Sequence, residues 1–276
     1  MKLGVSSYTY TWAFGVSGFL PQIPMTPKEL IKKAFDHGLQ RVQLADNYPL
    51  EKLNAEELNE LAEFARSHQI LIEVGARGLK PERLDIYLAI TRIMGAPFLR
   101  IVIDDKGYEP GIMEIIHVVK MKINAFRDAG VVLAIENHDR FKCSELVHII
   151  QHTDPAVVGI CLDTVNSFGA GEGVQEVLDQ LIPYTFNLHI KDFAIQRKYH
   201  QMGFDISGTP AGSGFLNIPQ MVKQLQEYRK CFSCTLELWT PPDERLENTI
   251  EKEKKWAERS LEYLKGMGLF HSHFEG

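Results

Sequence analysis

Short apolar runs alternate with longer amphipathic stretches from one end of the chain to the other. The short runs have the length of buried strands, and the stretches between them have the spacing of helices that bury one face. Thr26 and Asn54 stand where helix caps are expected, and Gly38, Gly95 and Gly130 follow helical stretches where a left-handed residue ends a helix. Strands are therefore predicted to begin near Leu3, Val42, Ile70, Phe98, Val131, Val157, Thr185 and Phe232.

Each predicted strand is followed by a predicted helix, which makes about eight strand–helix pairs, the number at which parallel strands close into a barrel. The alternative is an open, doubly wound sheet, but that fold normally has a glycine-rich turn after its first strand, and Ser6–Trp12 contains no glycine. We expect an α/β protein, a single (β/α)₈ TIM barrel with residues 1–276 in one domain. The helices are predicted over Pro27–His37, Ala55–His68, Pro81–Met94, Gly111–Ala129, Ser144–His152, Val174–Leu181, Ile218–Tyr228 and Arg245–Lys265.

The composition argues against several classes of protein. A hydrophobic fraction of 45% and an aromatic fraction of 10% support a large core rather than disorder. A net charge of −6 argues against nucleic acid as a partner, and no apolar run approaches the roughly 20 residues that cross a membrane. The chain enters its first strand directly and has 4 cysteines, so we expect a cytoplasmic protein without a disulfide framework, either a monomer or a homo-oligomer.

Four side chains that could bind a metal ion stand at the ends of four apolar runs. Parallel strands separated by helices bring their carboxyl ends to one rim, so these groups are expected to converge. Three carboxylates and one imidazole suit a divalent cation, and like charges brought together without a cation cost several kcal/mol. Any one of the acids, taken alone, could instead be a salt-bridged rim residue. The four are Glu136, Asp163, His189 and Glu237.

Three of these residues have a companion two positions later, which a strand places on the same side. His138 follows Glu136 and is expected to contact a substrate oxygen, with a structural role as the alternative. Lys191 follows His189 and is expected either to bind an oxyanion or carboxylate or to pair with Asp192 or a rim acid. The third companion is Trp239, which follows Glu237.

The runs that carry these groups resemble those of the xylose isomerase-like TIM barrel superfamily, and the resemblance extends over essentially the whole chain. This superfamily contains sugar and sugar-phosphate isomerases, epimerases, inosose dehydratases and a branch of apurinic endonucleases. The runs are Ala134–His138, Cys161–Thr164, Leu188–Asp192 and Leu236–Leu238.

The resemblance implies one divalent metal ion, Mn²⁺, Mg²⁺, Co²⁺ or Zn²⁺, held by Glu136, Asp163, His189 and Glu237. It also implies that Glu136 and Glu237 transfer protons on opposite faces of a small carbohydrate substrate. Many members have a histidine three residues after the aspartate, where this chain has Asn166. The missing histidine and the negative net charge argue against the endonuclease branch.

A second resemblance is to 3-oxo-isoapionate decarboxylases. It rests on the runs Asp163–Phe168, Glu73–Gly78 and Glu136–Arg140. A decarboxylase needs a cation for the carboxylate of its substrate. Arg140 and Arg197 are predicted in loops after the fifth and seventh strands, where each could take an anion or be a surface arginine.

Three further features are expected near the mouth of the barrel. Glu73 could bind a sugar hydroxyl or pair with Arg77 or Arg100, and the loop Gly208–Gly214 could present backbone N–H groups to an anion. Trp12 leaves the first strand and could stack on a sugar or pack in the core. The residues expected to bind substrate are thus Trp12, Glu73, His138, Asn166, Lys191 and Arg197.

The sequence favours a metal-dependent isomerase or epimerase of a small keto-sugar or sugar derivative. One of Glu136 and Glu237 would remove the proton beside a polarised carbonyl, and the other would return it to the resulting ene-diolate. The alternative is a metal-dependent decarboxylase of a 3-oxo sugar acid. A non-catalytic binding module is disfavoured because it would be expected to have lost one of the two glutamates.

Overall fold

Residues 1–270 are described by the computed structural model, and their centre is a closed barrel of eight parallel strands. The predicted (β/α)₈ barrel is therefore confirmed. Around the barrel the strands follow the order β1, β10, β7, β6, β5, β4, β3, β2. Their bounds are β1 Lys2–Ser6, β2 Arg41–Leu44, β3 Leu71–Arg77, β4 Phe98–Val102, β5 Val132–Glu136, β6 Val158–Asp163, β7 Thr185–Ile190 and β10 Ser233–Leu236.

The predicted helices lie between the strands, within a residue or two of their predicted bounds. Thr26 caps one of them, because its side chain accepts a hydrogen bond from the backbone N–H of Glu29. The Glu29 carboxylate in turn accepts a hydrogen bond from the backbone N–H of Thr26. Gly38, Gly95 and Gly130 have φ of 67°, 69° and 65°, as the sequence predicts. The helices are α1 Thr11–Phe14, α2 Pro27–Asp36, α3 Ala55–Ser67, α4 Pro81–Met94, α5 Ile112–Ala129, α6 Cys143–Gln151, α7 Val174–Leu181, α8 Ile218–Tyr228 and α9 Leu246–Gly266.

Two features differ from the prediction. The first is the short helix α1, which has no predicted counterpart. The second is the connection after β7. The segment after β7 forms an antiparallel hairpin of β8 Phe193–Arg197 and β9 Phe204–Gly208, which stands apart from the barrel sheet.

None of the described helices combines the length and the apolar character needed to cross a membrane. His271 and His273, for which the sequence suggests no role, lie outside the described residues.

The two faces of the barrel strands have different chemistry. Apolar side chains at alternate positions, such as Leu133 and Ile135 of β5, belong to one large core cluster shared with the surrounding helices. The other face points into the barrel, and there only a small apolar cluster of Phe98, Ala134 and Cys161 is found among the described residues. The rest of the barrel interior is largely polar, which is where a site can form.

The carboxylate of Asp192, two residues after the end of β7, organises the loop that precedes α8. It accepts hydrogen bonds from backbone N–H groups at N···O distances of 2.9–3.1 Å. A side chain on Gly214 would place its Cβ 2.2 Å from Asp192 Oδ1, so only glycine fits there. The loop Gly208–Gly214 does hold an anion as predicted, but that anion belongs to the protein itself. The donors are Phe193, Gly212, Gly214 and Leu216.

Replacing Asp192 by Asn should lower the free energy of unfolding by about 3 kcal/mol, because an amide offers one acceptor atom and turns an N–H donor toward the other backbone donors. Urea denaturation of the two proteins measures the difference. Asp205→Asn is the matched control, since Asp205 is exposed and its ion-pair partner among the described residues is Lys198, at 2.6 Å; it should change stability by less than about 0.5 kcal/mol. Equal effects of the two substitutions would contradict the role of Asp192.

Candidate functional site

Four adjacent strands of the barrel bring the four predicted ligand residues together. Glu136 ends β5, Asp163 ends β6, His189 lies in β7, and Glu237 directly follows β10. His189 Nδ1 lies 3.5 Å from Glu136 Oε2, 3.9 Å from Asp163 Oδ2 and 3.5 Å from Glu237 Oε1. All four side chains are buried. The imidazole is thus surrounded by three carboxylates.

Lys191 supplies one of the two cations inside this cluster. Its Nζ lies 2.8 Å from Asp163 Oδ2 and 2.8 Å from Glu237 Oε2. Burial would lower the pKa of Lys191, but the two carboxylates outweigh burial and raise this pKa above its ordinary value. Lys191 therefore stays charged. Of the partners considered from the sequence, Lys191 thus pairs with acids at the strand ends, which are two of the predicted ligand residues, and not with Asp192.

Arg100 supplies the second cation, and the sequence motifs did not reveal it. It lies in the middle of β4, where its Nε pairs with Glu136 Oε2 and its Nη1 lies 2.7 Å from Asp46 Oδ1. Asp46 also accepts hydrogen bonds from Arg77 Nε at 2.9 Å and from the Tyr8 hydroxyl at 3.2 Å. A charged residue at an inward position of an otherwise apolar strand was the available signal.

The environments of the two glutamates determine their pKa values. Burial would raise the pKa of Glu136, but Arg100, with His189 and Lys191, outweighs burial and the pKa falls below its ordinary value. Burial is likewise opposed at Glu237 by His189, Lys191 and Arg100, and the pKa of Glu237 also falls. Both glutamates are therefore carboxylates at neutral pH.

Hydrogen bonds distinguish these two carboxylates more sharply than their charges do. Glu136 is held at both oxygens, because Asn166 Nδ2 donates to Oε1 at 2.8 Å and Arg100 Nε donates to Oε2. Glu237 has Lys191 beside Oε2, whereas its Oε1 has no hydrogen-bond donor among the described residues. Asn166, which the sequence predicts to bind substrate, thus binds a predicted ligand residue.

The donor atoms of this cluster fit a divalent metal ion. His189 Nδ1 and Glu237 Oε1 are buried without a hydrogen-bond partner in residues 1–270, although both are strongly polar. Donor atoms of Asp163, His189 and Glu237 lie within 4.8 Å of one another. One imidazole nitrogen and several carboxylate oxygens form a set that Mn²⁺, Zn²⁺, Co²⁺ or Mg²⁺ can accept. Lys191 and Arg100 already offset part of the negative charge, so charge alone does not require the ion.

A cavity of about 360 Å³ opens beside Lys191. Trp12, Trp239 and Tyr8 supply aromatic walls, and Thr240 supplies a hydroxyl oxygen that is buried without a partner among the described residues. Trp12 is held in place because its indole N–H donates to the carbonyl oxygen of Thr240 at 2.9 Å. Trp12 therefore lies where the sequence predicts, at the mouth next to the charged cluster.

The structure leaves three of the predicted substrate-binding residues outside this cluster: Glu73, Arg197 and, at the rim, His138. Glu73 lies in the middle of β3 rather than at its end, is fully buried, and has Arg41 at 3.6 Å as its ion-pair partner, not Arg77 or Arg100. Arg197 lies in the exposed hairpin, where it stacks on Phe204 and donates to the carbonyl oxygen of Gln201 at 3.1 Å.

His138 and Arg140 lie at the rim. The His138 ring is partly exposed and contacts the carboxylate of Asp139 beside it. Arg140 is paired with Asp104, with its Nε 2.9 Å from Oδ2. Each of these side chains thus has a protein partner of its own, outside the buried cluster.

A barrel with acids and a histidine gathered at the carboxyl ends of its strands is typical of enzymes. The family model described as "Xylose isomerase-like TIM barrel" matches residues 19–267, and the chain belongs to this family.

Three similar proteins have informative names. The 3-oxo-isoapionate decarboxylase of Pectobacterium atrosepticum is 28% identical over 264 residues, which are 96% of this chain and 95% of that protein. D-psicose 3-epimerase from Clostridium cellulolyticum H10, solved with D-tagatose, has a TM-score of 0.72 at 15% identity and covers 98% of this chain and 100% of its own. The IOLI protein, solved with a zinc atom, has a TM-score of 0.65 at 18% identity and covers 95% of this chain and 99% of its own. The last two similarities establish the fold.

Glu73 should make the stability of the protein depend on pH. Burial raises its pKa from 4.5 to about 7, despite the opposing effects of Ser233, Arg41 and Gln43. The folded protein therefore holds a proton that the unfolded chain releases, so stability should fall as the pH rises from the unfolded pKa to the folded pKa. The full loss is on the order of 3 kcal/mol. Glu73→Gln should remove most of this loss, measured by urea denaturation near pH 5 and near pH 8.

Glu60→Gln is the control for this experiment, since the side chain of Glu60 is 62% exposed. It should leave the pH dependence of the wild type unchanged. A Glu73→Gln variant that loses as much stability as the wild type between the two pH values would show that Glu73 does not titrate in this range.

Removing the carboxylate of Asp163 tests the candidate metal centre. Asp163→Ala should abolish retention of Mn²⁺ through gel filtration, measured by elemental analysis, because one oxygen donor is lost. Asp163→Asn keeps an acceptor for the backbone N–H groups of Val165 and Asn166, which both lie 2.9 Å from Oδ1, and therefore separates metal binding from folding. Asp104→Ala at the rim is the control. Unchanged metal content in both Asp163 variants would contradict the ligand assignment.

Proposed function

We propose that the protein is a divalent-metal-dependent decarboxylase that acts on a 3-oxo sugar acid. The observation that carries the proposal is the unequal environment of the two glutamates. Arg100 and Asn166 occupy both oxygens of Glu136, whereas Oε1 of Glu237 has no donor among the described residues. One glutamate is held as a fixed carboxylate, and the other is available for proton transfer.

This difference matters because the two candidate reactions need different numbers of acid–base groups. Isomerisation and epimerisation remove one proton and return another, so two groups must each change protonation state. Protonation of Glu136 would weaken its charged hydrogen bond with Arg100 and leave a buried guanidinium less well paired, which costs several kcal/mol. Decarboxylation delivers only one proton. We therefore rank decarboxylation above the isomerisation or epimerisation that the sequence favours.

The similarity to the 3-oxo-isoapionate decarboxylase supports the same reaction class. It extends over 96% of this chain, whereas the epimerase similarity at 15% identity concerns the fold. A 3-oxo acid also requires a cation near its carboxylate. Lys191 borders the cavity beside the cluster, and its ammonium is charged at neutral pH. We assign Lys191 to the substrate carboxylate and the aromatic walls to the apolar faces of the sugar.

The reaction breaks the bond between the carboxylate carbon and C2. The electron pair of that bond moves toward the C3 carbonyl, CO₂ leaves, and C2 then takes up one proton. A bound divalent ion would supply Lewis-acid polarisation of the carbonyl, and the residues that would hold it are Glu136, Asp163, His189 and Glu237. Glu237 takes up one proton from solvent and delivers it to C2.

Epimerisation or isomerisation is the second candidate function. It is favoured by one observation, which is that Glu136 Oε2 and Glu237 Oε1 both lie 3.5 Å from His189 Nδ1 and so flank a common centre. A substrate held there would have a carboxylate on each side, as two-base chemistry requires.

Reaction in D₂O distinguishes the two functions. With Mn²⁺ and a 3-oxo sugar acid, we expect one CO₂ per product molecule and deuterium only at the carbon that lost CO₂, measured by gas analysis and by NMR. Glu237→Gln should lower kcat by about 100-fold or more, because proton delivery to C2 is lost. Glu136→Gln should act chiefly through weaker metal binding, so saturating Mn²⁺ should restore part of the activity.

Ketoses without a carboxylate should neither release CO₂ nor incorporate deuterium. Glu60→Gln, at an exposed position, should leave kcat unchanged and controls for the substitution itself. Deuterium entering a ketose without CO₂ release, with both Glu136→Gln and Glu237→Gln inactive at saturating Mn²⁺, would reject the decarboxylase in favour of the second candidate.

A further inference from the structure

We infer that Cys161 is a positioning residue: its sulfur accepts a hydrogen bond from Nε2–H of His189 and so turns Nδ1 toward the three carboxylates. Cys161 lies on β6 two residues before Asp163 and is fully buried. Its Sγ lies 3.2 Å from His189 Nε2. The inference rests on the proposed function for the metal ion, and on hydrogen-bond geometry for the direction of the bond.

The direction of the hydrogen bond between Cys161 and His189 follows from the backbone carbonyl oxygen of Ser233, which can only accept hydrogen bonds. The backbone carbonyl oxygen of Ser233 lies 3.3 Å from the side-chain nitrogen of Asn187, so Asn187 presents its N–H₂ group on that side. The same nitrogen lies 2.8 Å from Ser233 Oγ and 3.2 Å from Thr235 Oγ1. Asn187 Oδ1 must therefore face the other way, where it accepts from Gln43 Nε2 at 3.1 Å.

Asn187 in turn fixes the thiol. Cys161 Sγ lies 3.1 Å from Asn187 Oδ1, an amide oxygen that can only accept, so the thiol proton points to it. The sulfur then presents lone pairs to His189, and Nε2 must carry the hydrogen of that contact. A second acceptor near the thiol is Glu136 Oε2, at 4.0 Å. If the thiol proton pointed to Glu136 instead of Asn187, the sulfur would still accept the hydrogen bond from His189.

The consequence lies on the opposite side of the imidazole ring. Nδ1 of His189 has no hydrogen-bond partner among the described residues and faces carboxylate oxygens at 3.5–3.9 Å. A histidine that binds a metal through one nitrogen usually donates its other N–H to an acceptor, which fixes the orientation of the ring. Cys161 takes the place of that acceptor here, and the chain Gln43, Asn187, Cys161 and His189 connects the candidate metal centre to the barrel interior.

Two measurements on the full-length protein test this inference. NMR of ¹⁵N-histidine-labelled protein, both metal-free and loaded with Zn²⁺, should show a hydrogen-bonded Nε2–H on His189 whose signal shifts in Cys161→Ala. Calorimetric titration with Mn²⁺ should show that Cys161→Ala binds about 10- to 100-fold more weakly than the wild type. Cys161→Ser should keep most of the affinity, because a hydroxyl can accept from Nε2–H and donate to Asn187.

Cys234→Ala is the matched control. Cys234 is as fully buried as Cys161, but it belongs to the core cluster on the outer face of the barrel strands. It should leave both the His189 signal and Mn²⁺ affinity unchanged, although it loses the same thiol. This comparison separates an effect of the hydrogen bond from a general loss of packing.

The inference is overturned by a His189 proton on Nδ1 in the metal-free and Zn²⁺-loaded proteins, by wild-type Mn²⁺ affinity in Cys161→Ala, or by equal losses in the Ser and Ala variants. A wild type that binds neither metal would overturn the proposed function and the positioning role together. In that case an Nε2–H signal that still responds to Cys161→Ala would support the direction of the hydrogen bond by itself.

Discussion

The pairing of Arg100 with two carboxylates inside the barrel is the interaction on which the rest of the site depends. Its guanidinium lies between Asp46 and Glu136 and is almost completely buried. Removing one partner of a buried ion pair typically costs about 3–5 kcal/mol, because the other charge is left uncompensated. Because a second cation, Lys191, pairs with Asp163 and Glu237, the protein can gather several carboxylates in its interior. The binding of a metal ion is then a matter of ligand geometry more than of charge.

The same pairing makes the two glutamates chemically different. A fold that many enzymes share says little about the reaction, which depends on the groups at the site. Here Glu136 and Glu237 occupy equivalent strand ends, and sequence alone makes them an equivalent acid–base pair. Their partners remove this equivalence, since Arg100 and Asn166 hold both oxygens of Glu136 and leave Oε1 of Glu237 without a donor in the described part of the chain. The choice between two-base and one-base chemistry therefore depends on residues outside the metal-binding motifs.

Most of the fold could be predicted from the sequence, because buried strands and amphipathic helices have distinct periodicities. The hairpin of Phe193–Arg197 and Phe204–Gly208 could not, since its strands are short, half exposed and distant from the core pattern. Glu73 was misplaced because β3 continues to Arg77, so the end of the apolar run is not the end of the strand. Arg100 was missed as a site residue because the run Phe98–Val102 was treated as one apolar segment. Side chains alternate between the two faces of a strand, so one position of the run could still point into the site.

The pairing of β6 with β7 shows how precisely this alternation must be set. The register between the two strands shifts between Ile160 and Cys161, because Phe186 of β7 is an extra residue, and beyond that shift Asp163 pairs with His189. A bulge re-aims the side chains that follow it on its own strand, and here those side chains are Asn187 and His189. A slip by one residue would turn both toward the helices and exchange them with apolar neighbours such as Leu188. The contacts of Asn187 and His189 with the Cys161 thiol thus share one structural cause, and any variant that alters this register should disturb both contacts together.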